Sequence, residues 1–187
     1  MRPTFDGVLF FPVTPFTESG DVDFDALSQH IAKGVEAGPG GVFIACGTGE
    51  FHAMEDQEFA AVVRTAVEVV AGRVPVYAGA GGSVAQSKRF AVAAKEAGAD
   101  GLLLLPPYLV EVPQPGLVDF VRAVAGATDL PVIVYNRNNA RFTEDSAVAV
   151  AKIPNVIGFK DGTGNFDQVA RIVQAVTEHV DPDFLFF

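Results

Sequence analysis

The chain has 187 residues, 49% hydrophobic and 19% charged, enough to bury one sizeable core, and reads as a single domain over residues 1–187. Its 13 Lys and Arg against 23 Asp and Glu give a formal net charge of −10, which argues against nucleic acid and acidic membrane surfaces as partners. The one cysteine, Cys46, allows no internal disulfide and fits a reducing compartment, so the cytoplasm is the expected location.

Apolar strands alternate with alanine-rich helices every 25 to 34 residues or so. Strands are predicted near 8–13, 41–46, 75–79, 101–105, 131–135 and 156–160, with a seventh beginning at Asp183. The run 8–13 is far too short to span a membrane. Helices are predicted near 23–37, 55–71, 83–97, 115–127, 143–152 and 165–179. In the second helix Phe59, Val62, Val63, Ala66, Val67 and Val70 form one stripe at helical spacing. Gly38 and Gly98 fall where a left-handed residue ends a helix, and Pro75, Pro131 and Pro154 stand at strand starts, where no ladder donor is lost. Thr143 before Glu144 and Asp145 reads as a helix cap with acids in the first turn.

Strands as continuously apolar as 101–105 are covered on both faces, which implies a parallel sheet with helices around it. An open dinucleotide-binding sheet would carry G-x-G-x-x-G after its first strand, and the sequence there is Phe11-Pro12-Val13-Thr14-Pro15-Phe16. Polar or glycine-rich residues instead follow nearly every strand: Thr14, 47–50, 79–83, Tyr108, Tyr135-Asn136 and Lys160-Asp161. A site assembled from many strand ends at one face is the habit of the (β/α)8 TIM barrel. Such a barrel has eight units, so a chain that stops at Phe187 is expected to be truncated after about six and a half, its C-terminal units missing.

Lys160 ends the sixth strand and opens a glycine-rich loop, whereas Lys33, Lys88, Lys95 and Lys152 all fall on predicted helices. Alternation puts Val156, Gly158 and Lys160 on one face, with Ile157 and Phe159 on the other, so Gly158 is expected to leave open space beneath the amine. An amine held among apolar groups loses the hydration of its ammonium form, and the neutral amine attacks a carbonyl to form a Schiff base. The same residues also fit an ordinary strand-end lysine reaching for water. Tyr135 ends the fifth strand, and neighbouring strands lie about 5 Å apart, so its phenol can hand protons to and from the carbinolamine before the imine. A tyrosine that packs its ring and exposes its hydroxyl fits equally well.

Gly47-Thr48-Gly49 offers backbone amides and one hydroxyl suited to a carboxylate beside the reacting carbonyl, although a short glycine turn is often only a turn. Cys46 reads as a small core residue, with no histidine placed to activate it. His30, His52 and His179 show no metal spacing, and His52 reads as a polar loop residue leading into a helix. No metal and no nucleotide cofactor are expected.

The segments Pro12-Val13-Thr14-Pro15-Phe16, Gly47-Thr48-Gly49-Glu50, Pro106-Pro107-Tyr108, Tyr135-Asn136 and Gly158-Phe159-Lys160-Asp161 together resemble the dihydrodipicolinate synthase/N-acetylneuraminate lyase superfamily across the whole chain. The resemblance implies an eight-unit barrel in which Lys160 forms a Schiff base with a 2-oxo acid. Tyr135 would relay protons, and Gly47 with Thr48 would hold the carboxylate; Thr14 and Asn136 join the expected substrate-binding set. It also implies a homo-oligomer, a tetramer among relatives.

Two departures narrow the branch. Gly47 stands where a first hydroxyl residue is usual, and Leu109 stands where synthases carry a second tyrosine. The stretches 104–109, 135–141 and 159–162 look like the branch that dehydrates and decarboxylates the sugar diacid 5-dehydro-4-deoxyglucarate to 2,5-dioxopentanoate. A diacid needs a second anion site, expected at Arg141, with Arg137 as the alternative in the same loop. A class I aldolase acting on 2-keto-3-deoxy sugar acids and a catalytically inactive fragment remain as rival readings.

Overall fold

The protein is described by a computed structural model in which residues 5–107, 111–137 and 140–187 are placed. Tyr108, Leu109, Asn138 and Asn139, named in the motifs above, lie outside the described residues. Seven strands form one parallel sheet in strict chain order: β1 (Leu9–Phe10), β2 (Gly41–Ile44), β3 (Val76–Ala80), β4 (Gly101–Leu104), β5 (Val132–Asn136), β6 (Val156–Asp161) and β7 (Leu185–Phe186). Between them run α1 (Phe24–Glu36), α2 (Asp56–Val70), α3 (Val84–Glu96), α4 (Gln114–Ala125), α5 (Glu144–Ala151) and α6 (Phe166–His179). This is the repeating strand and helix unit of the (β/α) barrel, in the predicted places. Among the described residues, the element absent from the predicted list is a 3₁₀ turn at Phe51–Ala53.

The predicted punctuation works as its chemistry requires. Gly38 and Gly98 hold φ of +72° and +89° just past α1 and α3, a conformation glycine reaches without a Cβ clash. The Pro75 and Pro131 carbonyls accept from Val42 and Leu102 at 2.9 and 2.8 Å, so these prolines join the ladder through the only backbone hydrogen-bonding group they have. Thr143 caps α5, its hydroxyl accepting from the Ser146 amide.

Two apolar layers hold the curl. Between sheet and helices, the α2 stripe is buried at Phe59, Val62, Val63, Ala66 and Val70, with the Phe59 and Phe90 rings stacked 4.1 Å apart. Inside the curl lies an aromatic floor: Phe43 packs against Phe5, Phe11 and Tyr77 with ring centroids 5.7, 4.8 and 5.3 Å away. Phe5 also meets Phe187 at 5.4 Å, a contact that ties the β7 end of the sheet to the chain ahead of β1. The inner cluster of Phe43, Cys46, Tyr77, Leu103 and Ile133 fills the inside of the curl, and Cys46 and Leu103 also border the cavity at the carboxyl ends of the strands.

The simple alternation expected for β6 fails at one residue. Val132 pairs with Val156 but Ile133 pairs with Gly158, so Ile157 is an extra residue bulged out of register. Val156 therefore joins Phe159 in the outer layer, while Ile157 packs with the inner cluster. Lys160 still reaches the inside. Gly158 does not leave open space: a Cβ there would lie 3.1 Å from Leu185 Cβ and 3.3 Å from the Phe187 ring, so the missing side chain makes room for β7.

Candidate active site

The strand ends enclose a cavity of about 900 Å³, within the range of ordinary small-molecule sites. Phe11, Phe51, Leu103, Leu105, Pro106 and Pro107 give it apolar walls, and its polar lining is Thr48, His52, Tyr135, Arg137 and Lys160. Among the described lining residues there is no carboxylate. In a chain of formal charge −10, the acids are kept on other surfaces while three basic side chains face one apolar hollow.

Lys160 and Tyr135 are direct register partners on β6 and β5. The Lys160 Nζ stands 4.1 Å from the centroid of the Tyr135 ring and the Arg137 guanidinium carbon 5.9 Å from it. Two cations thus lie close to one aromatic ring, each attracted to the ring and repelled by the other. An anion placed between them relieves that repulsion.

The loop after β2 supplies neutral donors. Gly47 and Thr48 are exposed to the cavity, and among the described residues neither the Thr48 N–H nor its hydroxyl has a hydrogen-bond partner. Ala45 and Glu50, flanking this loop, are held at φ of 47° and 56°, a left-handed strain of order 1 kcal/mol or more each. Gly79 on β3 makes that turn feasible, because a Cβ there would stand 2.1 Å from the Ala45 carbonyl oxygen. The Arg137 Nη1 lies 3.8 Å from where a Cβ at Gly47 would be, so a side chain at 47 would touch the guanidinium.

The other expected site residues fall differently. Thr14 is buried and donates to the Gly49 carbonyl at 2.8 Å, fastening the β1 loop to the β2 loop outside the cavity lining. Asn136 is fully buried: its Nδ2 donates to Asp161 at 2.8 Å and its Oδ1 accepts from the Phe142 amide at 2.9 Å. Arg141 is exposed and absent from the lining, whereas Arg137 is in it. His52, read from sequence as a loop residue, is carried to the rim by the 3₁₀ turn. Cys46 is buried against the lysine; burial pushes its thiol well above the usual range, with the Lys160 charge pulling weakly the other way, so the thiol stays protonated.

Asp161, next to the lysine, faces away from the cavity. Burial raises its pKa, but hydrogen bonds from the Gly164 amide, the Thr163 hydroxyl, Asn136 and the Thr163 amide outweigh that and hold the carboxyl below its ordinary value. A depressed carboxyl contributes stability above its unfolded value of about 4 and loses it as pH falls through the lower folded value. Asp161→Asn is therefore expected to lower the urea midpoint at pH 7. That deficit should shrink as pH falls below about 4, where the unfolded chain's carboxyl takes up its proton, and close only below the lower folded value, where the native carboxyl is neutralised as well.

Among the described residues no group of three or more His, Cys, Asp or Glu is placed to hold a metal ion, and no helix is long and apolar enough to cross a membrane.

The fold and cavity define a (β/α)-barrel protein with a lysine and a tyrosine paired in a pocket at the strand ends whose described lining holds basic groups and no carboxylate. The sequence pattern of the dihydrodipicolinate synthetase family matches residues 4–186, and the chain belongs to that family. It is 56% identical over 182 residues to the probable 5-dehydro-4-deoxyglucarate dehydratase 1 of Streptomyces coelicolor, covering 97% of this chain and 58% of that protein. It is 51% identical over 181 residues to the probable 5-dehydro-4-deoxyglucarate dehydratase 1 of Streptomyces avermitilis, with the same two coverages. Among solved structures it is similar to the chloride-inhibited dihydrodipicolinate synthase of Acinetobacter baumannii in complex with pyruvate. The TM-score is 0.87 at 32% identity, over 93% of this chain and 61% of that one. The chain thus spans a little under two thirds of these relatives.

Proposed function

We propose that the chain carries the amine site of a carbon–oxygen lyase that dehydrates and decarboxylates 5-dehydro-4-deoxyglucarate to 2,5-dioxopentanoate. The observation that carries this reading is the Lys160 amine, 4.1 Å from the Tyr135 ring centroid, in a cavity whose described lining holds further basic groups and no carboxylate. Such a hollow favours a dianion bearing a ketone. Support comes from the names of the Streptomyces relatives and from the pyruvate bound by the Acinetobacter synthase, itself a 2-oxo acid.

In the proposed reaction Lys160 Nζ bonds to the ketone carbon, Tyr135 protonates the departing oxygen, and water leaves to give the iminium. The iminium acidifies the adjacent methylene. Loss of that proton forms an enamine, which expels the next hydroxyl as water and leaves a conjugated iminium. The far carboxylate then departs as carbon dioxide, its bond electrons drawn toward the nitrogen. Protonation, tautomerisation of the enol to an aldehyde and hydrolysis of the imine release product and free lysine. Thr48 receives the carboxylate beside the ketone, and Arg137, in place of Arg141, receives the far one.

Two measurements test these assignments. Incubation with the diacid is expected to yield carbon dioxide and 2,5-dioxopentanoate; pyruvate as product would place the chain among the aldolases instead. Arg137→Ala is expected to raise KM for the diacid roughly tenfold to a hundredfold, as for a lost charged hydrogen bond. Adduct formation with pyruvate, which has no far carboxylate, should change by less than about threefold. Equal weakening of both would move Arg137 to the near carboxylate.

A further inference from the structure

The proposed reaction depends on where the Tyr135 hydroxyl sits, and that phenol oxygen makes no hydrogen bond among the described residues. Packing therefore fixes it. Over the ring is the Lys160 amine, 4.1 Å from the centroid. Against the hydroxyl-bearing end of the ring is Gly162: a Cβ built there would stand 2.6 Å from the ring Cε2, 2.7 Å from the phenol oxygen and 3.0 Å from Cζ. Even an alanine methyl does not fit. The ring would retreat by most of an ångström to reach ordinary contact.

Gly162 is not glycine for the sake of its backbone. Its φ lies outside the left-handed region, unlike that of Gly164, which holds +70° with open space around it. The bare α-carbon at 162 serves the phenol.

The turn that carries this glycine is rigidly held. Asp161 accepts from the Thr163 hydroxyl at 2.9 Å and from the Thr163 and Gly164 amides at 3.1 and 3.0 Å, closing the chain around its carboxylate. The Gly162 amide donates to the Asn136 carbonyl at 2.8 Å, and the Asn136 side chain donates to Asp161 at 2.8 Å, so two bonds tie the turn to the strand bearing Tyr135. Asn136 is fully buried and itself accepts from Phe142. Strand register sets Tyr135 opposite Lys160 and Asn136 opposite Asp161, one residue further along. The second pair acts as a clamp for the first.

We propose that Gly162 is a positioning residue, the stop against which the Tyr135 phenol rests, held in place by Asp161 and Asn136. This inference rests on the imine reading. An ångström's misplacement of a reacting group can cost about a hundredfold in rate, so the stop bears on the rate of imine formation and not on how tightly the substrate's carboxylates are held.

The test is a timed borohydride quench of the full chain with pyruvate as probe, read by mass spectrometry, in a cycle of wild type, Gly162→Ala, Tyr135→Phe and the double variant. Gly162→Ala is expected to form the Lys160 adduct about tenfold to a hundredfold more slowly, with half-saturation by pyruvate changed by less than about threefold. If the glycine acts through the hydroxyl, adding Gly162→Ala to Tyr135→Phe slows the reaction little further. A wild-type rate in Gly162→Ala, or two effects that multiply, overturns the inference while leaving the imine reading intact. No adduct in the wild type overturns both. Should Gly162→Ala not fold, Asp161→Asn loosens the same turn without adding an atom, and the same non-multiplying pattern with Tyr135→Phe is required of it.

Discussion

Lys160→Met is expected to leave a folded protein whose release of carbon dioxide from the diacid has fallen by at least about 10⁴-fold, because the nucleophile is gone and no neighbour replaces it. Lys33, Lys88, Lys95 and Lys152 all lie exposed on the outer helices or at their ends, and Cys46, the other nucleophile type in the lining, is held as an inert thiol by burial. Methionine keeps an apolar stem over the Tyr135 ring and removes one of two cations that crowd it. The fold should lose no more than the cation–π contact, about 0.5–1 kcal/mol. A thermal melt beside the carbon dioxide assay separates the two effects; turnover within tenfold of wild type would remove Lys160 from the chemistry.

Tyr135→Phe is expected to lower kcat by about 10²- to 10⁴-fold, the span of a lost general acid or base, with KM little changed. The ring keeps its contacts with the amine and with Gly162, so packing and the cation–π contact survive and only the hydroxyl is missing. A kcat within threefold of wild type would assign the proton transfers elsewhere.

Much of this was legible in the sequence because it rests on local chemistry. Continuous apolar runs with prolines ahead of them marked the strands, the Phe59 to Val70 stripe marked a helix face, and Lys160 and Tyr135 stood out as polar residues ending buried strands. What escaped depends on contacts between segments distant in the chain. A period of two has no means of registering the extra residue Ile157, so the partners of Val156 and the neighbours of Gly158 came out wrong. Loop residues follow no period at all. Arg141 was preferred to Arg137 on position alone, whereas it is Arg137 that the backbone brings over the Tyr135 ring, and His52 looked incidental until a 3₁₀ turn brought it into the cavity lining. Asn136 beside Tyr135 resembled a substrate ligand, but tertiary packing gave both ends of its amide to Asp161 and Phe142. Gly162 seemed one turn glycine among several; only the approach of the phenol sets it apart.

The most direct measurement is borohydride reduction of the full chain in the presence of 5-dehydro-4-deoxyglucarate, followed by peptide mapping. The expected result is a reduced adduct on the peptide containing Lys160, absent from Lys160→Met. An unmodified chain, or an adduct on any of the helix-borne lysines with Lys160 untouched, would contradict the imine site.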